Sequence, residues 1–139
     1  MSAPEIPYPV AEQAPERVKS RTSTPLADIT LDAVATGRLG IDDLGIAPDG
    51  LRLQAQVAEG AGRPTLAANL NRAAELVAVP EAVLMQVYEL LRPGRAATKS
   101  VLLDAAARLR AEYGAHACAD LVEEAAAMYE RRGLFRRRY

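Results

Sequence analysis

From residue 48 onward, prolines and glycines cut the chain into runs, most of whose apolar residues recur every three or four positions, and none makes a convincing alternating strand. Such recurrence lays one stripe along an α-helix, whereas a half-buried strand needs strict alternation. Pro48 opens a helix to about Ala61 with Leu51, Leu53, Ala55 and Val57, and Gly60 and Gly62 end it. Pro64 opens the next, carried to about Val79 with a stripe of Leu66, Leu70, Ala73, Ala74 and Val77. Pro80 starts a third, with Leu84, Val87, Tyr88 and Leu91, and Pro93-Gly94 stops it. Thr98 is placed to cap a fourth, striped by Leu102, Ala105, Ala106, Leu109 and Tyr113 and closed by Gly114. The last, roughly 116 to 132, presents Cys118, Leu121, Val122, Ala125, Met128 and Tyr129 before Gly133. Upstream, Thr30 caps a short helix ending at Gly37, and residues 41 to 46, IDDLGI, form a turn or at most one helical turn. The expected fold is all-α, a small bundle of about five to six helices whose short connections favour antiparallel neighbours.

The first 25 residues differ: they hold five of the nine prolines, at 4, 7, 9, 15 and 25. Proline at that density breaks helices and central strands alike, so residues 1–25 are expected as an extended or disordered arm. Residues 26–133 are then the helical domain and residues 134–139 a basic tail. Half of the 139 residues are apolar, which excludes a wholly disordered chain. That half is mainly alanine, leucine and valine, with one phenylalanine and no tryptophan. Alanine removes little area from water at roughly 25 cal/mol per Å², so the composition favours a domain that gains stability by association.

The net charge of −1 gives no general attraction to nucleic acid or an anionic membrane. Residues 131–139, RRGLFRRRY, hold five arginines; taking them away from the net of −1 leaves −6 on the remainder. A solvated terminus accounts for that tail more simply than a nucleic-acid site. Cys118 is the only cysteine, no signal peptide is apparent, and no run reaches the roughly 18 apolar residues of a membrane span. A cytoplasmic protein is expected.

Candidate chemistry is sparse. His116 is the only histidine, and it lies two residues from Cys118, a spacing that does not face on a helix. The acids Asp42, Asp43 and Asp49 lack the alternation and closing glutamate of a calcium loop. Glu123 and Glu124 are neighbours on a helix and do not converge. No metal, cofactor-binding or catalytic residue is assigned. The remaining polar feature is LAANLNRAAELVAVP, residues 66–80, where Asn69, Asn71, Arg72 and Glu75 interrupt an apolar helix. Arg72 and Asn71 are spaced to pair with Glu75, either on an exposed face or along the edge of a subunit contact.

This helix also carries a resemblance. GRPTLAANLNRAAELVAVPEAVLMQVYELLRPGR resembles the core of the small subunit of adenosylcobalamin-dependent diol and glycerol dehydratases. The blocks are Gly62-Arg63, Leu66-Ala67 with Asn69, Arg72 to Leu76, Ala78-Val79-Pro80, Tyr88, Leu91-Arg92-Pro93 and Arg95. Similarity extends through TLDAV, LRLQAQVAEGAGR and CADLVEEAA, and YPVAEQAPERVK looks like the family's arm, so residues 8 to 134 are covered. Arg17 departs from the pattern, standing where a large apolar residue is expected. Seven residues precede Tyr8, fewer than in members packaged in bacterial microcompartments, so encapsulation is not expected.

The resemblance implies a complex of two copies each of large, medium and small subunits. In it the large subunit performs the radical dehydration, and adenosylcobalamin lies between the large and medium subunits. The small subunit is non-catalytic and packs on the large one, with no nucleic acid or membrane involved. Tyr8, Asn69, Arg72, Glu75, Tyr88, Arg92 and Arg95 are the residues expected at the subunit interface or in helix packing. The alternative is a free-standing helical adaptor that reuses the fold.

Overall fold

The computed structural model describes residues 6–135. Among them are seven α-helices and no strand longer than an isolated bridge. They are α1 (Val10–Gln13), α2 (Leu31–Ala35), α3 (Pro48–Gly60), α4 (Pro64–Leu76), α5 (Glu81–Leu91), α6 (Lys99–Tyr113) and α7 (His116–Arg131). The all-α expectation holds, and the proline-rich segment adds the four-residue α1. Two compact units divide the chain, the first ending at Ala74 and the second beginning at Glu75.

In the first unit, short polar contacts replace an extensive core. Residues 18 to 26 form a tight loop in which Leu26 N–H donates to Val18 C=O at 3.1 Å and Ser20 N–H to Thr24 C=O at 2.9 Å. This loop is pinned to the 3₁₀ turn Ile41–Leu44, because Arg21 pairs with Asp42 and Thr22 Oγ1 donates to Asp43 at 2.7 Å. Thr30 caps α2 as expected, its Oγ1 accepting from Ala33 N–H at 3.2 Å. Pro48 and Pro64 occupy the first turns of α3 and α4, where a missing N–H costs nothing. Gly62, at φ +71°, ends α3: its N–H reaches Glu59 C=O at 3.0 Å and Arg63 N–H reaches Ala58 C=O at 2.9 Å. Together these bonds satisfy two carbonyls that the helix end leaves open. Ala55, Ala58 and Ala67, with Leu70 against them, make a small core.

The expected stripe on α4 holds except at its first residue: Ala74 is buried and Leu70, Ala73 and Val77 are half-buried. Leu66 is exposed, whereas Ala67 and Ala74 are buried. At the start of the helix Ala67 rather than Leu66 takes the inward position, because the small side chain allows a close approach. The helix also stops at Leu76 rather than Val79.

The second unit has a fuller core of Val79, Val83, Leu102, Ala106, Leu109, Ala115, Cys118, Ala119, Val122 and Ala126. Helices α6 and α7 are antiparallel: Lys99 at the start of α6 meets Glu130 near the end of α7 at 2.7 Å. Arg110 near the other end reaches Asp120 at 2.7 Å and Glu123 at 2.8 Å. Leu102 and Leu109, one face of α6, are the largest fully buried side chains. Thr98 precedes α6 as expected but makes no capping bond, its hydroxyl sitting 2.9 Å from Ser100 Oγ instead. Tyr129 donates its hydroxyl to Leu91 C=O, tying α7 to the end of α5, and its ring meets Phe135 edge-on at 6.2 Å.

Candidate functional site

Several of the polar side chains that the sequence offers for chemistry are used structurally. Glu75 is the clearest case. Helix α7 begins after Ala115, which has no side-chain oxygen to satisfy the N–H groups of the first turn. The Glu75 carboxylate supplies the missing acceptors, taking Ala117 N–H at 3.0 Å on Oε1 and Cys118 N–H at 2.9 Å on Oε2. Those two amides are the ones a capping serine or aspartate would bind, and a negative charge there is also favoured by the helix dipole. Glu75 thus makes a tertiary contact that reaches beyond the neighbours on its own helix. Spacing along α4 describes only neighbours on that helix, and the acceptors that α7 needs come from 42 residues upstream.

Other expected positions lie apart. Asn69 Oδ1 is 3.5 Å from Arg72 on the exposed face of α4. Arg92 and Arg95 converge on Glu89, at 3.0 Å and 3.9 Å. Tyr88 is 59% exposed and Tyr8 is 72% exposed, with the Tyr8 carbonyl accepting from Gln13 Nε2 at 3.0 Å. Asn69 and Arg72 are brought together in the first unit, as are Arg92 and Arg95 in the second.

Other carboxylates are similarly occupied, Asp43 and Glu112 among them. The Asp43 carboxyl is held below its usual pKa by the Gly40 N–H it accepts at 2.8 Å, and then by the Thr22 hydroxyl. The Glu112 carboxyl is lowered by Arg108 Nε, which donates to it at 3.0 Å. Arg110 is held more firmly protonated than usual by Glu123 and then Asp120. Charge-assisted bonds of this kind stabilise the ionised forms. His116 is exposed and Cys118 buried, so the two diverge. No group of three metal-ligating side chains occurs among the described residues. One hollow is a shallow depression lined by Gly62, Arg63, Pro64, Thr65, Leu66 and Asn69. Another is polar and lies between the Glu16–Ser23 segment and the start of α3.

What the surface does offer is apolar. Leu31 and Ile41 are 85% and 84% exposed, and Val34, Leu44 and Ile46 of the same stretch are also open. In the second unit Met85, Tyr88, Leu103 and Leu121 are exposed. The signal for the first group lay in the sequence: LDAVA is too short a helix to bury more than one face, and Ala33 occupies it. No helix among the described residues is long and apolar enough to cross a membrane.

Residues 4–136 match the family described as dehydratase small subunit. The propanediol dehydratase small subunits of Citrobacter freundii and of Salmonella typhimurium (strain LT2) are each 46% identical to the chain over 125 residues. Each alignment spans 90% of this chain and 72% of the relative. With that family model matched over nearly its whole length and two relatives 46% identical, this all-helical chain belongs to the dehydratase small subunit family and is one part of a multi-subunit enzyme.

Proposed function

We propose that this chain is the non-catalytic accessory subunit of an adenosylcobalamin-dependent dehydratase, a hydro-lyase that converts propane-1,2-diol or glycerol to an aldehyde and water. The relatives' names support the diol as substrate. The observation that carries the accessory role is the internal use of Glu75, Asp43, Glu112 and Glu123 set against large apolar side chains left open to solvent. Exposed apolar side chains in number mark a surface meant to be covered, and large and medium subunits, two copies of each chain in the assembly, are the partners this reading supplies.

Adenosylcobalamin, when bound, supplies the radical chemistry. The hollows described above do not fit it: one is shallow and open, the other is lined by charged and small polar groups, and a corrin needs an enclosing wall. On this reading the cofactor belongs to the other subunits, and this chain acts by shaping and stabilising the chains that hold it. A cytoplasmic location, without a membrane or nucleic-acid partner, belongs to the same proposal.

The test is aldehyde formation from propane-1,2-diol and from glycerol by the dehydratase purified with and without this chain. Cobalamin-dependent activity that requires the chain, together with no cobalamin bound by the chain alone, supports the proposal. Full activity of the larger subunits in its absence opposes it.

A further inference from the structure

Most of the exposed apolar surface of the first unit comes from one stretch of chain. Leu31 and Val34 are one helical step apart on α2, and Ile41 and Leu44 share a face of the 3₁₀ turn, where residues three apart eclipse. Ile46 follows at once, and the five side chains are 40–85% exposed. Together they show on the order of 500 Å² to water, the size of the largest apolar patch on an ordinary monomer.

The stretch is also rigidly held, although it contains little helix. Thr30 caps its start, Leu39 N–H donates to Ala33 C=O at 3.1 Å, and Arg21 N–H donates to Gly45 C=O at 2.8 Å. Ser20 bridges to Ile46 at its far end. Ordering a loop on binding is costly, and here the backbone is already fixed.

Charge points the same way. The stretch contains four charged side chains, and each already has a partner within its unit. Asp32 pairs with Arg38 at 2.6 Å, Asp42 pairs with Arg21, and Asp43 accepts from Gly40 N–H at 2.8 Å and from Thr22 at 2.7 Å. Covering the surface therefore strands no lone charge, the usual obstacle to burying a polar-flanked patch. A partner that matches it is apolar and near neutral at its centre.

We infer that Leu31, Val34, Ile41, Leu44 and Ile46 form the apolar centre of the surface by which this chain docks on a larger subunit of the dehydratase. This rests on the accessory-subunit reading above. A stable contact needs about 800 Å² from each partner, so the stretch supplies the centre and the paired charges around it the rim.

The experiment is hydrogen exchange on the full chain, alone and in complex with the larger subunits of the same organism, together with binding of two variants. The inference expects protection of residues 31–46 on complex formation. It expects Leu31→Asp/Ile41→Asp to fold with an unchanged circular-dichroism melt but to lose co-elution. Leu31→Ser, a milder change at a side chain 85% exposed, should weaken binding about tenfold or more and serves if the double variant does not fold. Wild-type complex formation with no added protection at 31–46, or with Leu31→Ser binding as wild type, overturns the inference and leaves the accessory role standing. Protection of 31–46 in the chain alone as its concentration rises would give the surface to a second copy and also overturn it. Failure of the wild-type chain to join the complex removes the accessory reading itself.

Discussion

At the residue scale, the decisive feature is how a carboxylate in one helix completes another. An alanine N-cap leaves the first amides of α7 without a side-chain acceptor, and Glu75 meets two of them from α4. Glu75→Ala removes both bonds, and a lost cap of this kind costs about 1–2 kcal/mol. Glu75→Gln keeps the shape with one acceptor oxygen and should fall between wild type and alanine in urea denaturation. Equal stability of all three would show that the cap contributes nothing. Asp43 gives a pH prediction. Its folded pKa is depressed, chiefly by the Gly40 N–H, so its contribution is complete above the ordinary aspartate range and is lost as pH falls through the lower folded value. Carboxyl-carbon NMR should place its midpoint below that of an aspartate in a short peptide. In the Asp43→Asn variant this acid-side loss should disappear from the stability profile. A midpoint at the peptide value would remove the claimed hydrogen bonds.

Elements were legible in the sequence at their ends more than on their faces. Pro48, Pro64, Gly62, Gly114 and Thr30 all stand where they were expected to start, stop or cap a helix, because each acts through its own backbone or a residue within one turn. Faces were harder. Leu66 was expected inside and is outside, and Val83 rather than Tyr88 is the buried residue of α5. Where alanine, leucine and valine occupy adjacent positions, the period is clear but its phase is set by which neighbour packs closest. The partner of Glu75 was not legible at all, since nothing within α4 encodes a need that arises at the start of α7. Two variants probe these elements. Leu102 is fully buried between α6 and its neighbours, so Leu102→Ala should cost about 3 kcal/mol, within the ordinary range for a leucine cavity. A cost under 1 kcal/mol would mean that this core is not packed as described. Gly62 holds φ +71° with open space where a side chain would sit, so Gly62→Ala should lose only the backbone term, about 1 kcal/mol. A much larger loss would point to an unrecognised contact at that turn.

At the scale of the whole molecule, composition, polar contacts and surface agree on an incomplete object. An alanine-rich core stabilises modestly, ion pairs at the surface add little each, and large apolar side chains stay in water. The proposed accessory role supplies a reason for that economy, because an accessory subunit would complete its burial on its partners. The most direct test is light scattering coupled to size exclusion, on this chain co-expressed with the large and medium dehydratase subunits. The account predicts one peak containing all three chains, whose mass falls by the small subunits when the chain is left out. A separate peak of this chain as a lone, stable monomer beside a complete larger complex would contradict it.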